Sequence, residues 1–213
     1  MVWAIVVAAG AGTRFGAQKQ FLDLNGRSVA AQSVAACRNV ANHVVLVVPS
    51  DRLDDLPNDL VADVVVAGGS SRSASVRAGL EAVPLDVDIV VIHDAARPMA
   101  PPQLFHDVVA AVRDGAAGSI CAISVTDTIK VVDRTTTPVK VLETLNRDEL
   151  VAVQTPQAFD AVILRSAHEG NAEASDDAAL VEILGHNVVV VNGSVKNVKI
   201  TTIEDLAHLE GAS

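Results

Sequence analysis

An apolar run at residues 3–7 leads straight into a glycine-rich segment, and this junction constrains the possible folds more than any other feature. The run is typical of a buried strand, and three glycines between positions 10 and 16 let the backbone take positive φ angles and approach a ligand closely. Successive N–H groups in such a loop form a concave site for an anion. Because Arg14 and Lys19 add two positive charges, the junction predicts a phosphate-binding loop at the end of a strand.

Two common glycine motifs do not match this loop. The dinucleotide-binding pattern G-x-G-x-x-G has Phe15 where it requires the third glycine. The pattern G-x-x-x-x-G-K-[ST] fails because Lys19 does not follow a glycine and precedes Gln20. On the glycines alone, an ordinary strand-to-helix turn stays open as an alternative. The two nearby cations weigh against it.

Apolar, β-branched runs alternate with helical patterns, which predicts an α/β fold with an open, mostly parallel, Rossmann-like sheet flanked by helices. With 50% hydrophobic and 2% aromatic residues, the core must be built from aliphatic side chains, which suits such a sheet. We expect one domain over residues 1–213. The predicted strands lie at 2–8, 44–48, 64–67, 88–92, 119–124 and 188–191. The predicted helices lie at 29–39, 73–83, 102–114, 158–168 and 176–184.

One segment interrupts this alternation. Residues 128–133 and 139–145 have the pattern of two strands around a turn at 134–138, which predicts an inserted β-hairpin. A lone two-stranded ribbon is marginally stable in water. We therefore expect this arm, at about residues 126–147, to pack on a second subunit of a homodimer.

Charge and composition exclude several classes of protein. The net charge of −10 leaves no basic face for nucleic acid, so an anionic ligand would need a local cluster of cations and would be helped by a divalent metal. No apolar run reaches the roughly 18 residues of a membrane span, and the first apolar run lacks the basic leader of a signal peptide. Cys37 and Cys121 stand far apart among apolar residues, which favours buried thiols and a cytoplasmic location.

Ligands of open α/β sheets bind beyond the carboxyl ends of the strands, so the residues that follow each strand are the candidates. The small, polar segment 68–75 opens a helix and could read the edge of a base, or could be an ordinary capped helix start. Asp94 is a sensible Mg²⁺ ligand, and Arg97 could bind a phosphate or merely pair with Asp94 to shape the turn. His93 is predicted to be a packing residue.

Taken together, these segments resemble the 2-C-methyl-D-erythritol 4-phosphate cytidylyltransferase family. The glycine loop marks only the wider nucleotidyltransferase superfamily, whereas residues 93–98 together with 155–157 narrow the resemblance to this family and its near relatives. The matching motifs are Ala8-Ala9-Gly10-x-Gly12, Lys19-Gln20-Phe21, Gly68-Gly69-x-x-Arg72-x-x-Ser75-Val76, His93-Asp94-Ala95-Ala96-Arg97-Pro98, Asp127-Thr128-Ile129-Lys130, Gln154-Thr155-Pro156-Gln157, Ser175-Asp176-Asp177 and Lys199-Ile200-Thr201.

The resemblance implies transfer of a cytidylyl group from CTP to methylerythritol phosphate, with release of pyrophosphate, in isoprenoid precursor biosynthesis by the non-mevalonate pathway. It implies that Arg14 and Lys19 stabilise the transition state, that Mg²⁺ bridges the phosphates near Asp94, and that Arg147 and Lys199 position the acceptor. The implied nucleotide-binding residues are Ala8, Ala9, Gly10, Gly12, Gly69, Ser70, Ser75 and Ala95. The implied acceptor-binding residues are Asp94, Arg97, Thr128, Thr155 and Ser175.

The family resemblance also implies that the hairpin arm crosses to a second subunit, where Thr128 and Arg147 complete the partner's site. Other functions stay open at this point. A ribitol-5-phosphate cytidylyltransferase would share the fold and the mechanism, and a non-catalytic module that binds CTP would lack pyrophosphate release. An NAD-dependent oxidoreductase is disfavoured by Phe15.

Overall fold

The computed structural model describes residues 1–10, 15 and 17–211. Within these residues, the chain alternates between strands and helices. In chain order the strands are β1 (Val2–Val7), β2 (Asp23–Leu24), β3 (Arg27–Ser28), β4 (His43–Val48), β5 (Val64–Ala67), β6 (Ile89–Asp94), β7 (Gly118–Ser124), β8 (Lys130–Asp133), β9 (Lys140–Thr144), β10 (Val151–Asp160) and β11 (Val188–Asn192). The α-helices are α1 (Val29–Cys37), α2 (Arg72–Glu81), α3 (Pro102–Arg113), α4 (Ala161–Ala167), α5 (Asp177–Ile183) and α6 (Ile203–Gly211).

A seven-stranded sheet with the order β11-β7-β10-β6-β1-β4-β5 forms the centre of the fold. β1 pairs in parallel with β4 and β6, and the pairs β4–β5 and β7–β11 are also parallel. β10 runs antiparallel to both of its neighbours, β6 and β7. The prediction of an open, mostly parallel sheet is therefore confirmed, with one reversed strand inside it.

β10 takes the place of part of a helix that the sequence predicted. The helix predicted at 158–168 begins only at Ala161, because Val151–Asp160 forms a strand. Phe159 is completely buried between β6 and β7, which fixes this stretch as a central strand. The carboxylate of Asp160 then caps α4, because its Oδ1 accepts hydrogen bonds from the amides of Val162 and Ile163.

Helices cover both faces of the sheet. Ala4 and Val6 of β1 face a core that includes Phe105 of α3, whereas Ile5, between them, faces the core that includes Leu164 of α4. Since a buried parallel strand hides both of its faces, this alternation explains why the predicted strands are continuous apolar runs. With six strands running in one direction, their carboxyl ends meet at one edge of the sheet.

Two glycines allow α2 to approach the sheet closely. A Cβ on Gly79 would come within 2.6 Å of Ile5 Cγ2, and a Cβ on Gly68 would come within 2.2 Å of Ala9 Cβ. Real Cβ atoms do not tolerate such distances, so the turn that opens α2 packs directly on the loop after β1.

β8 and β9 form the predicted hairpin, pairing with each other in an antiparallel two-stranded sheet apart from the central one. Large apolar side chains of this arm are exposed, with Val141 at 61%. The others are Ile129, Val131, Val139 and Leu142. In the part of the chain that the structure describes, no helix has both the length and the apolar character needed to cross a bilayer.

Candidate active site

The loops that follow β1, β5 and β6 enclose a cavity of about 600 Å³ at the carboxyl edge of the sheet. Seven of the eight predicted nucleotide-binding residues line it, together with Lys19, Asp94 and Lys199. The seven are Ala8, Ala9, Gly10, Gly69, Ser70, Ser75 and Ala95. The eighth, Gly12, and the predicted catalytic Arg14 lie outside the described residues.

A buried glutamine shapes the end of β1. The side-chain amide of Gln20 donates hydrogen bonds to the carbonyl oxygens of Ala8 and Gly10, at 2.7 and 3.1 Å. Gln20 belongs to a short 3₁₀ helix that also carries Lys19 to the wall of the cavity. The Lys19 ammonium lies 6.0 Å from the centre of the Phe15 ring.

Hydroxyl groups organise the turn between β5 and α2. Ser71 caps the helix, because its Oγ accepts a hydrogen bond from the amide of Ala74 at 3.0 Å. Ser75 Oγ donates to the carbonyl of Ser71 at 2.8 Å and accepts from the amide of Gly69 at 3.2 Å. The turn is therefore a capped helix start and a wall of the cavity at the same time.

Asp94, the last residue of β6, carries the carboxylate of the cavity wall. Its Oδ2 accepts a hydrogen bond from Lys199 Nζ at 2.6 Å, and its Oδ1 lies 3.5 Å from Arg72 Nε. Burial by itself would raise the pKa of this carboxyl, but the charges of Arg72 and Lys199 outweigh burial and hold the pKa well below its usual range. Asp94 is thus ionised at neutral pH.

Arg97 and Thr155 lie behind Asp94 and do not line the cavity. Thr155 Oγ1 accepts a hydrogen bond from the Asp94 amide at 3.0 Å, so it supports the backbone at that point. Arg97 is buried and donates to the carbonyl of Asn197 at 2.7 Å, and burial lowers its pKa. Both residues therefore position the two segments that carry Asp94 and Lys199.

His93 is the packing residue that the sequence predicts. Its ring is fully buried, 5.0 Å from the ring of Phe105. Nδ1 lies 3.1 Å from Thr155 Oγ1, and Nε2 lies 3.2 Å from the carbonyl of Arg97. Burial lowers the pKa of His93 from 6.5 to about 4, so the ring is neutral at neutral pH.

Thr128, Arg147 and Ser175, three other predicted site residues, are exposed and do not line this cavity. Arg147 lies near the base of the arm, where its Nη1 donates to the carbonyl of Thr126 at 2.7 Å. Next to Ser175, Asp176 caps α5, because its Oδ1 accepts a hydrogen bond from the amide of Ala179 at 3.0 Å.

Arg72 lines the cavity, although no role was predicted for it from the sequence. It is the first residue of α2, where the helix dipole disfavours a positive charge. A cation at such a position is the signal that could have identified it. Among the described lining residues, three cationic side chains (Lys19, Arg72 and Lys199) face one carboxylate, so this acidic chain concentrates positive charge here.

The donor atoms fit a magnesium ion that arrives with a phosphate ligand. No cluster of three or more His, Cys, Asp or Glu side chains that could hold a metal occurs in the described ranges 1–10, 15 and 17–211. Mg²⁺ is commonly bound by one or two carboxylates together with the phosphates of a substrate. Asp94 could supply such a carboxylate, whereas a metal cage built from protein side chains alone does not fit.

Comparisons with known proteins agree on one family. The family model described as 2-C-methyl-D-erythritol 4-phosphate cytidylyltransferase matches residues 2–212. A protein of that name from Rhodococcus jostii is 44% identical over 211 residues, which cover 96% of this chain and 92% of the relative. The bifunctional enzyme IspD/IspF of Solidesulfovibrio magneticus is 40% identical over 232 residues, which cover 100% of this chain and 57% of the relative. The chain spans little more than half the length of such bifunctional relatives.

Solved structures give the same answer. The crystal structure of 2-C-methyl-D-erythritol 4-phosphate cytidylyltransferase from Thermus thermophilus matches with a TM-score of 0.82 at 33% identity, covering 100% of this chain and 98% of that one. The structure of 4-diphosphocytidyl-2C-methyl-D-erythritol synthase from Anaerococcus prevotii matches with a TM-score of 0.85 at 30% identity, covering 100% and 97%.

The buried His93 predicts a specific dependence of stability on pH. Its pKa falls from 6.5 to about 4 on folding, so between these values the unfolded chain binds the additional proton. The free energy of unfolding should therefore decrease as the pH falls through this window, by up to about 3 kcal/mol from this one group. Urea unfolding of the wild type and of His93→Gln between pH 4 and 7 measures the difference, and the variant should have the shallower dependence.

His106→Gln is the matched control, because His106 lies on the exposed side of α3. This variant should follow the pH dependence of the wild type. Identical slopes for His93→Gln and the wild type would contradict the assignment of a neutral, buried His93.

Proposed function

Since the chain belongs to the 2-C-methyl-D-erythritol 4-phosphate cytidylyltransferase family, we propose that it transfers a cytidylyl group from CTP to 2-C-methyl-D-erythritol 4-phosphate. The products are 4-diphosphocytidyl-2-C-methyl-D-erythritol and pyrophosphate. The observation that carries this proposal is the cavity beyond β1, β5 and β6, where cationic side chains surround a space large enough for a nucleotide. Its volume of about 600 Å³ lies within the range of roughly 300–1,000 Å³ typical of small-molecule sites.

The cytidine binds among small residues in this proposal. One wall of this space is formed by Gly69 and Ser70 in the turn before α2 and by Ser75 within α2. The segment Ala8–Gly10 lines the same cavity. Small side chains leave room for the base, and backbone amides and hydroxyls can read its polar edge. Ala95 borders the same space, directly after Asp94.

The reaction takes place at the α-phosphate of CTP. An oxygen of the acceptor's phosphate forms a bond to the α-phosphorus, the bond from that phosphorus to the β-phosphate oxygen breaks, and pyrophosphate leaves with the electron pair. Lys19, together with Arg14, stabilises the negative charge that develops on the five-coordinate phosphorus. Lys199 holds the acceptor phosphate, and no covalent enzyme intermediate is required because the attacking phosphate is already an anion.

Mg²⁺ fits this scheme as a cofactor brought by the triphosphate. Asp94 would hold it, and the bound ion would neutralise the phosphates and make pyrophosphate a better leaving group. The chain's own residues bind and orient the two substrates around it. Asp94 is available for this role as an ionised carboxylate whose side chain reaches the cavity.

The arm supports the proposal of a homodimer. β8 and β9 pair with each other and expose apolar side chains on a ribbon that would be marginally stable alone. Thr128 and Arg147, which do not line the cavity of their own chain, would reach the acceptor site of the partner. Ser175 would be a further acceptor contact at the rim of the site.

A cytoplasmic location also fits. Cys37 and Cys121 are free and buried, and burial raises the pKa of the Cys121 thiol to about 12. Such inert thiols persist in a reducing compartment.

Lys19→Ala should lower kcat by ~10²-fold, because one preorganised donor at the developing charge is lost, while the protein stays folded. The assay measures pyrophosphate release from CTP with purified protein and each of two acceptors, methylerythritol phosphate and ribitol 5-phosphate. The wild type should prefer methylerythritol phosphate.

Lys196→Ala is the matched control, because it removes the same charge from an exposed position that does not line the cavity. It should retain the rate of the wild type. Near-normal turnover by Lys19→Ala would remove Lys19 from the reaction, and a preference for ribitol 5-phosphate would overturn the acceptor. Binding of CTP without pyrophosphate release would indicate a binding module.

Arg147→Ala should mainly raise the KM for the acceptor, and mixed dimers of Arg147→Ala with Lys19→Ala subunits should recover part of the activity, because one of the two sites then has both side chains intact. Activity is measured on heterodimers purified with two different affinity tags. Heterodimers no more active than either parent would contradict the crossing arm.

A further inference from the structure

A row of contacting basic and acidic side chains leads from the cavity into the core. Lys199 contacts Asp94 at 2.6 Å, and Asp94 lies 3.5 Å from Arg72. Arg72 Nη1 contacts Asp177 Oδ2 at 2.7 Å, and Asp177 Oδ1 lies 3.0 Å from His168 Nε2. Five residues from four separate parts of the chain therefore form one continuous network.

The inner end of this network is fully buried. The Asp177 side chain has 0% exposure, and His168 is almost equally hidden, with its Nδ1 lacking a hydrogen-bond partner in the part of the chain described. A buried carboxylate is costly unless its partners are well placed. Each oxygen of Asp177 has one such partner, so this residue is held in a fixed place.

Asp177 in turn fixes Arg72. Burial alone would lower the pKa of the Arg72 guanidinium, but the charges of Asp177 and Asp94 outweigh burial and raise it. The guanidinium contacts Asp177 through Nη1 and faces Asp94 through Nε, and its planar shape suits two carboxylates at once. The short contact is with Asp177, which makes Asp177 the anchor of this side chain.

The two cationic partners of Asp94 differ in exposure and in their other contacts. The Lys199 side chain is 41% exposed and has no second acidic partner among the described residues, whereas that of Arg72 is 26% exposed and anchored. In the proposed reaction Lys199 binds the acceptor phosphate, and this contact draws the Lys199 ammonium away from Asp94. Arg72 is then the cation that stays beside the Asp94 carboxylate.

We infer that Arg72, anchored by Asp177 and His168, is the positioning residue that holds Asp94 in place while Lys199 engages the acceptor. This inference rests on the proposed function, since it gives Lys199 and Asp94 their roles there. α2 has a second connection to this part of the chain. At the surface, Glu173, which precedes α5, contacts Ser71 at the start of α2 and Arg77 within it.

The test begins with Asp177→Asn, which removes the anchoring charge with little change of shape. We expect kcat to fall at least tenfold while the KM for CTP changes less than threefold. Arg77→Gln, which removes the contact of Arg77 with Glu173 and leaves that of Ser71, is the matched control and should keep the kinetics of the wild type. His168→Gln, which retains a donor for Asp177, should be less impaired than His168→Ala.

Chemical rescue separates positioning from folding. Arg72→Ala leaves a space that opens to the cavity, so guanidinium ions at millimolar concentration should restore part of its kcat, and ammonium ions at the same concentration should restore much less. Failure of rescue in a variant that unfolds with the melting temperature of the wild type would overturn the inference. A wild-type kcat in Asp177→Asn would also overturn the inference. If Asp177→Asn does not fold, the rescue of Arg72→Ala decides.

A crystal structure of Asp177→Asn distinguishes this inference from the proposed function. The inference predicts that the Arg72 guanidinium moves away from Asp94, whatever reaction the wild type catalyses. An Arg72 that keeps its place beside Asp94 would refute the anchoring, even if cytidylyl transfer is demonstrated. Absence of cytidylyl transfer by the wild type would instead refute the proposed function and leave this structural result to stand.

Discussion

The site depends on one ionised carboxylate that is kept at the end of a buried strand. Burial opposes the charge of Asp94, and two cations, Lys199 and Arg72, overcome that opposition. These cations come from segments far apart in the chain, one at the start of α2 and one before α6. Both cations pair with the Asp94 carboxylate. This pairing holds the β5–α2 turn and the 194–199 loop at the same edge of the sheet.

The same arrangement explains how an acidic protein can attract a polyanion. The chain has a net charge of −10, yet Lys19, Arg72 and Lys199 line one cavity with a single opposing carboxylate among the described residues. Walls of low dielectric constant strengthen the field of such a cluster, which favours an anionic ligand over neutral ligands. Small residues at the β1 and β5 ends leave the remaining space for a base.

Local sequence signals predicted the sheet, the arm and most of the cavity, because apolar runs and glycine turns report directly on buried strands and close approaches. β10 was missed because its central part is polar: Gln154 and Gln157 are buried, with partners at Ser194 and Asp176 that the local sequence does not reveal. Arg97 and Thr155 matched the family motifs, but whether they contact substrate depends on contacts across the fold. Likewise, the local sequence does not reveal that Asp177 and His168 are linked to Asp94, because the link is a contact with Arg72 across the fold.

In the proposed function a cytosine nucleotide binds at the carboxyl edge of β1, β5 and β6, with its phosphates among the cations. A crystal structure of the protein with CTP and magnesium would show where the nucleotide binds. We expect the base beside Gly69 and Ala95 and the triphosphate beside Lys19. Nucleotide bound elsewhere, such as in the groove between Arg27 and Met99, with this cavity filled only by solvent, would contradict it.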